Sequence, residues 1–277
     1  MGKQLKIELQ RGFKNKKFVI VLAIEFVVVL IHLFHIIFPA ITTGIPFLKQ
    51  YVGTKTDFIP GAMYYWIGLN NSMERTILFA ILPILGAIPY GSSLFSDYSS
   101  KYQNHFMVRE NRKNYFFSKL ITMFINGGVI GSFPFLLSLY VNLLLLPVEQ
   151  TLTVQGYFSL CNERIIFSGL FFSHPIIYCF IYILFVFIGF GFINCICYVF
   201  SYILSNAAVV MISAFVIYFS SLVIMEFIGS IPVAWQFMRF NQIKKDDVVY
   251  ILLQLALMIL LPVLIAIYKS GKRVDVL

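Results

Sequence analysis

Four ionisable side chains stand inside long apolar runs of this 277-residue chain: Glu25, His32, His35 and Glu226. A charge in hydrocarbon is costly enough that each is a functional candidate wherever its run crosses a bilayer. Glu25 lies seven residues into a run that begins at Phe18, about 10 Å deep at a helical rise of about 1.5 Å per residue. His32 follows two turns later on the same face, and His35 one turn beyond that. Such a stripe could line a translocation cavity or receive a basic group on a substrate. The structural alternative has Glu25 capping a neighbouring helix or meeting a lysine from the N-terminal segment. Two histidines offer too few ligands for a metal site. Glu226 falls near the outer end of its run, where headgroup exposure makes a charge cheap.

Other chemistries find less support. An intramembrane serine protease needs a serine in a Gly-rich turn and a histidine on another span. Ser132, after Gly127-Gly-Val-Ile-Gly131, and His174 are the nearest pair, but no oxyanion motif accompanies them. Gly127 and Gly131 form a G-x-x-x-G step, which points first to close helix packing. Three of the four cysteines (Cys161, Cys179, Cys195, Cys197) sit in apolar runs, with no disulfide or zinc spacing. No Gly-x4-Gly-Lys-Ser/Thr stretch exists to hold nucleotide phosphates, so the chain itself binds no cofactor by motif.

The elements that carry these residues follow from composition. Hydrophobic residues make up 60% of the chain and charged ones 12%, half the usual charge of a soluble domain. Mean hydropathy is +0.86. These values exclude soluble enzymes, nucleic-acid binders and disordered chains, and predict an all-α polytopic membrane protein forming a single domain. Six runs reach the roughly 20 residues that a bilayer core requires, near 18–38, 76–95, 119–146, 174–203, 207–229 and 249–268. The first is too long for a signal core and reads as a retained span. With the N-terminus inside, 14 of the 21 basic residues lie in inner segments, so both termini are expected to be cytoplasmic. The net charge of +9 is then topogenic, not a nucleic-acid footprint. Residues 3–17, with Leu5, Ile7, Leu9 and Phe13 among lysines and Arg11, predict an interfacial amphipathic helix. In the outer loop 39–75, Tyr64, Tyr65 and Trp66 suit an aromatic belt, with some re-entry into the membrane surface. Asn126, Asn142 and Asn194 are expected to make interhelical hydrogen bonds.

One polar inner segment, Ser96 to Lys119, reads SDYSSKYQNHFMVRENRKNYFFSK. It resembles the first intracellular loop of ABC-2 type transporter permeases, in which an acid precedes a polar turn and a Gly, and Gly-x-Ser-Arg, an aromatic and a lysine follow. Asp97 matches the acid, Arg112 the arginine, Tyr115 the aromatic and Lys119 the lysine. Lys101 stands where a Gly is common, and Arg109 takes the place of the second Gly. The resemblance implies a coupling helix that docks on a separate ATPase, with contact over Ser99–Asn111. Tyr102, Phe106 and Met107 would be its apolar anchors and Arg109 and Arg112 its charged ones. It further implies two ATPase copies carrying ATP and Mg, and a second permease copy or paralogue completing a dimer. The expected role is export across a bacterial plasma membrane of amphipathic cargo, foremost peptides such as toxins or antimicrobial peptides. Lipids or drugs are the alternative cargo. A channel, an ATP-independent carrier and an intramembrane enzyme are the readings from other classes.

Overall fold

A computed structural model describes residues 2–44, 61–103, 112–148, 165–228, 244 and 247–271. Every regular element among them is helical, apart from one isolated antiparallel bridge between Ile165 and Lys244. Helix α1 (Gly2–Phe13) is followed by α2 (Lys16–His32), and Asn15 makes the corner between them. Its side-chain oxygen accepts from Phe18 N at 2.7 Å, capping α2. Its amide donates to the orphan carbonyls of Arg11 and Gly12 at 2.9 and 3.0 Å, and to Pro89 O at 3.3 Å. One side chain thus ends one helix, starts the next and ties both to a third.

Past His32 the chain continues as two π-wound segments, Leu33–Ile37 and Ala40–Gly44. Then come α3 (Ala62–Tyr65), α4 (Met73–Tyr90) and α5 (Ser93–Ser99). The remaining helices are α6 (Arg112–Leu145), α7 (Ser168–Ser173), α8 (Pro175–Phe200), α9 (Ala207–Ile228) and α10 (Val248–Gly271). Among the described residues four helical stretches are long and apolar enough to cross a bilayer: Lys16–Thr43, Met73–Ser99, Arg112–Leu145 and Pro175–Phe200. At about 1.5 Å per residue each exceeds a hydrocarbon core about 30 Å thick. The chain is a transmembrane protein. α9 and α10 cover the runs expected as fifth and sixth spans.

The core is built where glycines let helices touch. α6 and α8 run antiparallel, and a Cβ on Gly131 would stand 2.4 Å from Phe190 Cβ. A Cβ on Gly127 would meet Asn194 Cβ at 2.4 Å and Phe190 O at 2.8 Å. On another side of Gly127, Gly86 of α4 approaches its Cα. The absence of side chains on Gly127 and Gly131 is what lets α6 and α8 meet there. Asparagines staple α6 to its neighbours: Asn194 Nδ2 of α8 donates to Met123 O at 2.8 Å and Asn126 Nδ2 to Gly12 O of α1 at 3.2 Å. Asn142 Nδ2 donates to Ala62 O at 3.1 Å.

Two expectations change. Trp66 is fully buried, its indole N–H donating to Phe135 O at 2.9 Å and its ring edge-on to Tyr182, so it is a core residue and not part of an interfacial belt. Tyr64 and Tyr65 beside it are half-buried. The segment 96–119 is also less of a loop than its polarity suggests. α5 carries the chain to Ser99, and α6 begins at Arg112, seven residues before the apolar run. Polar side chains there are absorbed by partners, so polarity does not break the helix.

Candidate functional site

At the end of the bundle where α2 starts and α4 stops, seven polar side chains from four helices meet. α1 presents Gln4, Glu8 and Gly12 inward, one turn apart, and packs them against α6. Glu8 and Lys119 are fully buried, and Asp97 is 3% exposed. Arg11 grips Asp97 with two parallel bonds, Nη1 to Oδ2 at 3.0 Å and Nη2 to Oδ1 at 2.7 Å. Its Nη1 also reaches both Glu8 oxygens at 3.3 Å. Lys119 Nζ lies 2.7 Å from Asp97 Oδ2 and 3.1 Å from Glu8 Oε2. Tyr115 donates its hydroxyl to Asp97 Oδ2 at 3.0 Å, and Tyr90 donates to Glu8 Oε2. Gln4 Nε2 donates to Glu8 Oε1 at 3.3 Å. Two carboxylates therefore face two cations, and the tyrosine hydroxyls fill remaining lone pairs. A buried pair holds only under such full compensation. The Lys119 ammonium also lies 5.0 Å from the centroid of the Tyr90 ring. Hydrogen bonding to Asp97, reinforced by Glu8, pushes the Arg11 guanidinium still further above its ordinary pKa.

This junction joins α1 to both arms of segment 96–119. Asp97 sits on α5, before the segment's centre, and Tyr115 and Lys119 sit on α6, after it. These three face inward, so any part they take in coupling is by holding the arms and not by touching a partner. Ser99 and Lys101 are exposed, and Tyr102 is 37% exposed with its ring under Arg11 at 5.2 Å. Lys101 adopts a left-handed backbone, φ 58°, just past the end of α5. Arg112 is half-buried at the start of α6. Phe106, Met107 and Arg109 lie outside the described residues. Glu8 and Arg11 were missed as partners by sequence reading; the polar Gln4, Glu8, Gly12 stripe at four-residue spacing was the available signal.

The second polar set lies along α2. Glu25 and His32 are both fully buried on its inward face, as their two-turn spacing predicts. No hydrogen bond reaches either Glu25 oxygen or either His32 ring nitrogen among the described residues. The lysine of the N-terminal segment expected as a structural partner does not reach Glu25 among the described residues. His35 leaves the stripe: the π-wound turn rotates it outward, its side chain 66% exposed, with Nδ1 2.6 Å from Glu74 Oε1 at the start of α4. Glu74, counted from sequence as an outer-loop acid, is buried there with its other oxygen unpartnered. The neighbouring Arg75, also taken as a loop residue, is buried and donates to Asn71 Oδ1 at 3.1 Å and Tyr182 Oη at 3.4 Å. Glu226 falls on α9, and its side chain lies outside the described set. His174 opens α8, sixteen residues before the Phe190 that packs on Gly131, about 24 Å along the axis. Ser132, next to Gly131, is thus not brought to His174.

Fold and sites together define an all-α transmembrane protein with one ion-paired junction and one polar stripe without hydrogen-bond partners among the described residues. Compared with known proteins, the chain matches no family model, no curated protein and no solved structure.

Proposed function

We propose that this chain is the membrane subunit of an ATP-driven exporter of the ABC-2 type, moving an amphipathic cargo, most fittingly a peptide, out of a bacterial cell. In this reading α9 and α10 complete six spans, both termini are cytoplasmic, and α1 lies at the inner face. A second permease copy forms the dimer, and two copies of a separate ATPase supply ATP and Mg. The central stretch of segment 96–119 is the coupling element, with Ser99, Lys101, Tyr102, Phe106, Met107, Arg109 and Arg112 toward the ATPase.

The observation that carries the reading is the ionic junction. A coupling element works only if a push on it tilts the spans and does not bend a hinge. Here both of its arms and the N-terminal helix are fixed to one another through Glu8, Arg11, Asp97 and Lys119. A force on the segment is thereby delivered to α2, α4 and α6 together. The left-handed backbone at Lys101 adds support, because that is where the family commonly has Gly.

The test is to purify the tagged chain from its native membrane in mild detergent. A stoichiometric P-loop ATPase, its turnover altered by the permease, is expected to accompany it. Arg112→Glu is expected to lose that ATPase while inserting normally. Purification of the chain alone, or undiminished copurification with the variant, would overturn the assignment.

A further inference from the structure

Buried polar groups in proteins are nearly always partnered, and inside a membrane the penalty for leaving them alone is higher still. Glu25 and His32 break that rule together, four polar atoms on one helix face with no partner among the described residues. Glu74, held on one oxygen by His35, brings a third unpartnered acceptor to the outer end of the same helix. The complementary group is a cationic hydrogen-bond donor. A metal ion is a poor match, because no three His, Cys, Asp or Glu side chains among the described residues gather as a metal site requires.

The position of α2 indicates how such a group arrives. Only 28% of its most apolar stretch is buried, against 44–56% for the other three spans. Its outer face, including Val19, Ile24, Val27 and Ile31, is open to lipid. Immediately beyond His32 the helix turns to π winding, a local weakening that recurs at functional sites. α2 is therefore the span whose displacement disrupts the least packing, and moving it uncovers Glu25 and His32 directly to the bilayer. A ligand entering by that route needs an apolar tail as well as a cation.

We propose that Glu25 forms an intramembrane site for the ammonium group of an amine-bearing amphiphile admitted from the lipid beside α2, with His32 about 10 Å further along the same face and out of that group's reach. That this amphiphile is the cargo rests on the exporter reading; that the site binds it does not.

The test uses the full chain in mild detergent, titrated with hexylamine, an ammonium at neutral pH, and with hexan-1-ol as its uncharged counterpart. Thermal unfolding reports binding, since a ligand of the native state raises the midpoint. Hexylamine is expected to act at concentrations at least about tenfold lower than hexanol, the scale of one charge-assisted hydrogen bond. In Glu25→Gln the two are expected to act within about twofold of each other. Glu25→Leu, which removes the carboxylate and suits an apolar surrounding, is expected to narrow the preference likewise, and decides the matter if Glu25→Gln does not fold. Equal action of the two probes on the unaltered chain, or a preference retained in the variants, would overturn the site. Loss of the ammonium preference beside a bound ATPase would sink this site alone. An intact preference with no ATPase would sink the exporter reading alone.

Discussion

Two polar clusters are buried to the same depth of exposure and treated in opposite ways. At the junction, Glu8 and Asp97 are surrounded by Arg11, Lys119, Gln4, Tyr90 and Tyr115, so each carboxylate oxygen has a donor or a cation beside it. On α2, Glu25 and His32 are just as inaccessible and have none. The first cluster couples four helices; the second lies on the buried face of one helix whose other faces are largely exposed. Saturated buried charges fix geometry, because every member is needed by the others. Unsaturated ones contribute nothing to the resting fold and are free to meet something that comes and goes.

The widest gap between the clusters opens on removing a cation from the first. Lys119→Met leaves two buried carboxylates with Arg11 alone, and breaking a buried pair in this way typically costs about 3–5 kcal/mol. A large fall in the unfolding midpoint is expected, with part of it recovered in the double variant Lys119→Met with Glu8→Gln. Strict additivity of the two substitutions would show that they do not interact and would dissolve the junction as a unit.

A smaller loss is expected from Glu8→Gln by itself. The amide keeps acceptor capacity for Tyr90 but gives up its charge to Lys119 and Arg11, about 1–3 kcal/mol. Denaturation in mixed micelles would measure it, and an unchanged midpoint would mean that Asp97 alone holds both cations.

How far these clusters could be read from sequence differs for a physical reason. Glu25 and His32 lie on one helix, so a seven-residue spacing was sufficient to place them on one face. The apolar runs likewise located α2, α4, α6 and α8. Glu8 and Lys119, by contrast, are joined across 111 positions, and no local period encodes a pairing that only helix packing creates. The pattern of Leu5, Ile7, Leu9 and Phe13 among basic residues predicts an interfacial helix and gives no sign of the polar stripe that the protein buries beside them. Hydrophobicity decides burial when water is the alternative; here the opposing charges on α5 and α6 decided it. Trp66 and Arg75 were hidden for a similar reason: both lie in or beside a long polar connection, and their burial comes from folding back against Phe135 and Tyr182.

Local backbone near the junction gives an effect of opposite sign. Lys101 holds φ 58° at the end of α5, where its amide donates to Tyr98 O at 3.1 Å. A residue with a Cβ is strained in that conformation and glycine is not, by about 1 kcal/mol. Lys101→Gly should therefore raise the midpoint slightly while leaving the saturated cluster intact. A lowered midpoint would show that the lysine side chain contributes more than its backbone costs.

The smallest expected change is the most discriminating. Glu25→Gln keeps size and shape, and the amide is easier to bury than a carboxyl that would have to ionise. With no partner to lose, its stability effect should be within about 0.5 kcal/mol of zero, against the clear loss for the same chemical change at Glu8. The pair of measurements compares one Glu→Gln substitution in two equally buried places, so differences in volume and burial cancel. If Glu25→Gln proved as costly as Glu8→Gln, Glu25 would belong with the junction as part of what holds the bundle together. If it proved neutral, the fold would have no use for that carboxylate, and a role outside the fold would be the remaining physical reason for a charge-bearing group at that depth.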